Sequence, residues 1–304
     1  MFRPFPSLAA RRFTPGLALW LPLALPLCGC ELLRSAGMGP RADVSSAAGE
    51  ESRAASLRPI PKPRDAFVVE VLFVERPAGD PLLGSELWSE LAQPGELPAT
   101  TRDLLEENGF RLGTCGSTAP RALQVLLARS VHEVLAVRSG ESGDAPQTTL
   151  MSHRVALQSH GETELQTSPV YPACSIAIRS GGAARERRFE QARCLFRVTA
   201  ERVQDGWVRL EFSPEVHHGE LKTRHVAGNG GFVLKSTQEV APFPVQRFAV
   251  TLNLGEMVVL SADPDRPDSL GRHFFIGAGE DEPLQRLIVI RLADMKRTDP
   301  IYSR

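Results

Sequence analysis

Apolar residues cluster only once in the first 65 positions, where Leu17 to Leu27 forms an eleven-residue run without a polar side chain. Residues 31–65 then show no apolar period, and Ser, Ala, Gly, Pro and Arg dominate them. Phe67-Val68-Val69-Glu70-Val71-Leu72-Phe73-Val74 is too apolar for a strand with one wet face, so the pattern predicts a central strand covered on both sides. Asp80-Pro81, a capping acid followed by proline at the first helical position, predicts a helix whose buried stripe is Leu83, Leu87, Trp88 and Leu91. A second short helix is expected from about Thr101 to Asn108, with Thr100 as cap and Asn108-Gly109 as stop. Phe110-Arg111-Leu112 reads as a short strand, and Ser117 or Thr118 caps a third helix with Leu123, Leu126 and Leu127 on one face. Val131-His132-Glu133-Val134-Leu135 fits either a continuation of that helix or the start of a strand.

From about Thr148 the period changes from 3.6 to 2. Cys194-Leu195-Phe196-Arg197-Val198 and Trp207-Val208-Arg209-Leu210-Glu211-Phe212 flank Gln204-Asp205-Gly206, a hairpin signal in which Val208, Leu210 and Phe212 face in while Arg209 and Glu211 face out. Phe248, Val250, Leu252 and Leu254 alternate likewise; Gly255-Glu256 turns the chain into Met257-Val258-Val259-Leu260, and Leu287-Ile288-Val289-Ile290 is a further buried strand. The fold class expected is therefore α+β: a small α/β unit, 66–140, followed by a largely antiparallel β unit, 147–295, the two able to share one sheet.

The apolar run near the start has its own chemistry. Arg3, Arg11 and Arg12 precede it without an acid, and Gly29 closes it. A basic stretch, a short apolar stretch and a small residue describe an export signal, and a run of this length falls short of the about 20 residues that cross a bilayer. Leu27-Cys28-Gly29-Cys30 resembles the lipobox of bacterial lipoproteins. That resemblance implies cleavage of residues 1–29 as a signal peptide and acylation, palmitate included, of Cys30 as the lipid attachment site. Glu31 is not the aspartate that retains lipoproteins at the inner membrane, so the resemblance points to the outer membrane, facing the periplasm. The alternatives are an ordinary secretory signal with an accidental cysteine and a short uncleaved anchor. Residues 30–65 are expected to be a disordered tether, a coil with a root-mean-square span of roughly 30–35 Å.

Without residues 1–29, which carry three arginines and no acid, the chain has 32 basic and 36 acidic residues. A net charge near −4 gives no reason to expect nucleic acid as a partner. Three cysteines remain beyond Cys30. Cys174 and Cys194 flank the turn-like Ser180-Gly181-Gly182-Ala183, lie symmetrically about Ala184, and can form a disulfide or stand as two buried thiols; Cys115 is the odd one out.

Glu215-Val216-His217-His218-Gly219-Glu220, with His225 beyond, is the best candidate for a metal site. In an extended chain His217 and His218 point to opposite faces, so one ion would need a turn at Gly219. Two surface histidines at a bend are the simpler reading, and no metal or other cofactor is assigned. Gly228-Asn229-Gly230-Gly231 lacks the Lys-Ser/Thr ending of a phosphate loop and reads as a hairpin tip. No Gly-x-Ser-x-Gly elbow or His-Glu-x-x-His pair occurs, and Asp263-Pro264-Asp265-Arg266-Pro267-Asp268 lacks EF-hand spacing.

Gly206 to Val216 and Val250 to Leu260 are similar to the strand rhythm in the C-terminal half of bacterial secretins, where a strand ending in a Pro-Glu-Val-like step precedes a hairpin turning at glycine. The glycine-rich end that follows there is replaced by Ser261-Ala262-Asp263-Pro264. The resemblance implies residence in the cell envelope and an assembly role. The expectation is a lipid-anchored binding or assembly module without catalytic activity and with an envelope protein partner. The alternatives are an envelope hydrolase or metal-dependent enzyme using His217, His218 or His225, and a cell-wall binder.

Overall fold

The computed structural model describes residues 64–139, 148–228, 231–279 and 282–298, all within the compact unit Pro59–Arg304. The expected signal peptide, Cys30 and nearly all of the expected tether lie outside the described residues.

The chain opens with β1 (Arg64–Pro77), two short helices α1 (Ser85–Glu90) and α2 (Ala99–Glu107), β2 (Phe110–Cys115) and the long α3 (Arg121–Ser139). β3 (Thr149–Gln158), β4 (Glu162–Gln166) and β5 (Tyr171–Ser180) lead into two 22-residue strands, β6 (Ala183–Gln204) and β7 (Trp207–Gly228). β8 (Gly231–Pro242), β9 (Phe248–Asn253), β10 (Met257–Ala262), α4 (Leu270–Phe275), β11 (Ile276–Gly277) and β12 (Leu284–Thr298) complete it. Among the described residues the named strands pair antiparallel and helices are few, so the fold is α+β.

One sheet runs β2-β10-β12-β1-β3, with β11 beside β12. β1 lies between β12 and β3, as its unbroken apolar run requires: Phe67, Val69, Val71 and Phe73 face one core, while Leu72 and Val74 face another. Strands from 66–140 and from 147–295 thus share one sheet. The second sheet runs β4-β6-β7-β8, with β5 also on β6 and β9 also on β7.

The main core fills the space between the sheets. Phe196, fully buried, touches Phe274 at 5.0 Å and Phe110, Phe212 and Phe248 at 6.0 Å between ring centroids, and Phe212 stacks on Phe248 at 5.0 Å. Each such aromatic pair contributes about 1 kcal/mol beyond area burial. The smaller core joins the other face of the first sheet to the helices through Leu83, Leu87, Leu123, Leu126, Val259 and Leu287.

Several local expectations change in the structure. Asp80 Oδ1 does accept from the Leu82 amide at 2.8 Å, but it starts only a short 3-10 turn, Pro81–Leu83. Gly84 is extended, at φ −78° and ψ −164°, and the helix restarts as α1. α2 begins two residues before the expected start, after Pro98, and stops where expected, with Gly109 at φ +76°. Val131 to Leu135 continues α3. Leu254 leaves the β9 alternation: it sits in the turn before β10 and is 51% exposed. The hairpin at Gln204-Asp205-Gly206 forms as expected, with Val208, Leu210 and Phe212 wholly buried.

α3 is fastened to β1 by a buried arginine that the hydrophobic pattern does not announce. Arg76 is 3% exposed, and its Nε donates to Asp80 Oδ2 at 2.6 Å. Its Nη1 donates to Glu133 Oε2 at 2.8 Å and to the Ser130 hydroxyl at 3.1 Å. Thr148 donates to the same Glu133 oxygen at 2.8 Å, so this internal charge is neutralised and hydrogen-bonded.

Candidate functional site

The histidine stretch lies in β7, and pleating separates its members. Glu215 and His217 share a face, each 6% exposed, with His217 Nε2 3.1 Å from Glu215 Oε2. Glu215 is also held by Arg197, whose Nη2 donates to Oε2 at 3.1 Å and whose Nη1 donates to Glu162 at 3.0 Å. The carboxylate is thereby committed to an ion pair. His218 takes the other face, its ring centroid 5.0 Å from that of Phe189. Gly219, at φ +77°, marks a slip in the β7–β8 register between His218 and Lys222, after which the backbone of His225 stands opposite Leu234. Among the described residues no three His, Cys, Asp or Glu side chains converge as metal ligands do.

Among the described residues Cys115, Cys174 and Cys194 are free thiols. The β5–β6 hairpin turns between Gly181 and Gly182, pairing Ser180 with Ala183, and not about Ala184. Its register puts Cys174 opposite Phe189, so the directly opposed Cys174–Cys194 geometry expected from the spacing is absent. Burial pushes all three thiol pKa values up, Cys194 the furthest, with the Glu256 charge adding to the effect at Cys115. Raised thiols are protonated at neutral pH and are poor nucleophiles. Asp263, from the acid-rich segment, faces Arg111 at 3.5 Å and Arg266 at 3.6 Å. The tip around Asn229-Gly230 and the acids Glu280 and Asp281 lie outside the described residues.

The sheet margins are the remaining surface with chemistry to offer, because an unpaired strand edge carries a row of amides and carbonyls. β2 is closed by the segment after α1: Ala92 and Thr114 exchange backbone hydrogen bonds of 2.9 and 2.7 Å. β5 is closed by a side chain. Asn108, fully buried at the end of α2, accepts from the Arg179 amide and donates to the Arg179 carbonyl, both at 2.8 Å. One carboxamide thus replaces one rung of a neighbouring strand. Asp268 extends the cover by accepting from the Ala177 amide at 2.8 Å.

β3, β4, β8 and β9 each pair with one other strand only among the described residues. On β3, the exposed Arg154 is paired with Glu70 at 2.6 Å. On β8, whose sequence holds Lys235 and Glu239, the exposed Glu239 is engaged by Lys222 at 2.6 Å. Val240 on β8 is 44% exposed, and Leu221 on β7 is 66% exposed. Sequence reasoning could mark the hairpin but not its open side, because strand order is not written in local pattern.

No family model and no curated protein matches the chain. Among solved structures it is weakly similar to bacterial secretins. For the ETEC pilotin–secretin AspS–GspD complex the identity is 14% and the TM-score 0.20, over 77% of this chain and 49% of that one. For the V. cholerae type IV competence pilus secretin PilQ the identity is 11% and the TM-score 0.21, over 77% and 60%. For the type II secretin GspD of enteropathogenic Escherichia coli the values are 14% and 0.21, over 77% and 69%. The chain thus spans about half to two thirds of the length of the secretin chains it matches.

Proposed function

We propose that this chain is a lipid-anchored cell-envelope protein, acylated at Cys30 and attached to the outer membrane on its periplasmic side. Its folded body is a non-catalytic assembly module that takes an envelope protein partner by strand addition at β8. The observation that carries this reading is the contrast between margins: β2 and β5 are closed by specific hydrogen bonds, while β8 pairs only with β7 among the described residues. Strand addition draws affinity from main-chain groups and specificity from neighbouring side chains, here Val240 and Leu221. The lipobox supplies the anchor, and residues 31–65 supply the reach to hold the body clear of the headgroups.

The anchor is tested by Cys30→Ser. The exchange is expected to move the protein from the membrane to the soluble fraction and to remove the lipid mass from the N-terminal peptide. Unchanged partitioning, with no lipid mass in the parent protein, contradicts it.

A further inference from the structure

A cavity of about 300 Å³ opens between α2, the connection from Leu91 to Pro98, β2 and the turn from Asp263 to Arg266. Its floor is apolar, formed by buried side chains including Leu97, Leu105 and Phe110. Its rim is cationic. Arg102, Arg111 and Arg266 line it against only two acids, Glu106 and Asp263. Arg111 and Arg266 share the single carboxylate of Asp263, at 3.5 and 3.6 Å. Both separations exceed the about 2.8 Å of a charge-assisted hydrogen bond. Arg111 also lies over the Trp88 ring, 5.8 Å from its centroid, which fixes the guanidinium plane. Arg102 donates to Gln93 at 2.7 Å and to the Leu97 carbonyl at 3.3 Å, while its Nε is buried without a hydrogen-bond partner.

Three guanidinium groups facing two carboxylates leave one positive charge uncompensated, and a buried N–H remains unused. An incoming carboxylate would balance that charge, since it matches the planar guanidinium fork. The apolar floor adds a place for a hydrocarbon group beside that charge. A cavity of this volume is at the small end of ligand sites. We propose that this cavity binds a carboxylate attached to an apolar side chain, as at the C-terminal residue of a peptide. It stands independently of the anchor and of β8, and neither supplies a residue to it.

The test is titration calorimetry on the full chain with acetyl-Ala-Leu as the free acid and as its C-terminal amide. The free acid is expected to bind saturably, and the amide at least about tenfold more weakly, the loss of one charged hydrogen-bond pair. Arg102→Gln and Arg111→Gln, each shown folded by its unfolding midpoint, should each weaken the acid by about tenfold as well. Acetate, which has the charge without the hydrocarbon, should bind more weakly than acetyl-Ala-Leu. The same dipeptide displayed at the end of a carrier protein separates the two sources: undiminished binding assigns protein C-termini, and exclusion of the carrier assigns free peptides. Equal binding of acid and amide overturns the proposal. So does the absence of saturable binding of the acid below about 10 mM, or full affinity in both arginine variants.

Discussion

Replacing Asn108 by alanine removes the side chain that closes β5. Three hydrogen bonds of 2.8 Å disappear: Nδ2 to the Leu104 carbonyl, Nδ2 to the Arg179 carbonyl, and the Arg179 amide to Oδ1. Each such bond contributes about 1 kcal/mol net, and donors or acceptors stranded away from water add to the loss. Asn108 itself is wholly buried but Arg179 is only half-buried, so water recovers part of what β5 loses. The expected destabilisation is about 3 kcal/mol. For a body of this size that is a fall in melting temperature of roughly 6–12 °C. Urea unfolding followed by circular dichroism measures the first figure and a thermal scan the second. Amide exchange supplies a local readout, because the Arg179 amide should lose protection even where the rest of the sheet keeps it. Asn108→Asp is the sharper variant: it retains the acceptor for Arg179 but turns a carboxylate oxygen towards two carbonyls, and should be no more stable than Asn108→Ala. A loss below about 1 kcal/mol in both variants, with Arg179 still protected, would refute the reasoning that one carboxamide stands in for a strand rung.

Two further outcomes follow from packing and charge. Gly271→Ala should lose about 3 kcal/mol or fail to fold, since its new methyl group would lie 2.1 Å from the Gly109 carbonyl oxygen and 2.8 Å from the Phe110 amide nitrogen, both backbone atoms that cannot step aside; urea unfolding of the purified variant checks it. Burial alone would raise the Glu133 pKa, but hydrogen bonds from Arg76 and Thr148 outweigh it and hold the carboxyl below its ordinary value of 4.5. A depressed carboxylate contributes stability that is complete above the unfolded value and lost as pH falls through the folded one. Glu133→Gln should therefore be about 2 kcal/mol less stable at pH 7, with the gap to the parent narrowing below pH 4.5 in unfolding curves taken across the acid range.

Much of this architecture is legible in residue order, for identifiable reasons. The apolar run at Phe67 to Val74 could only be a strand with two covered faces, and β1 is one. The period-2 stretches at Trp207 and Phe248 fall where β7 and β9 form, because alternation decides which side chains a pleated strand buries. What failed depended on partners distant in sequence. The position of a hairpin turn fixes every pairing behind it, so taking Ala184 as centre misplaced Cys174 opposite Cys194. Arg76 looks like an ordinary surface cation until Glu133, 57 positions later, is brought to it by α3. Asn108 was legible as a helix stop, but its closing of β5 is a tertiary fact joining residues 71 positions apart. The cationic cavity draws on residues from Trp88 to Arg266, and no local motif joins them.

The most direct measurement of the central claim is photo-crosslinking in intact cells from two margins of the same molecule. A crosslinking residue replaces exposed Thr237 on β8 in one strain and exposed Ser152 on β3 in another. Strand addition at β8 predicts one dominant protein adduct from position 237, not seen from position 152 and lost when Cys30→Ser releases the chain from the membrane. No adduct from position 237, the same adducts from both positions, or an adduct of twice the chain's own mass would contradict a module that takes a distinct envelope partner at this edge.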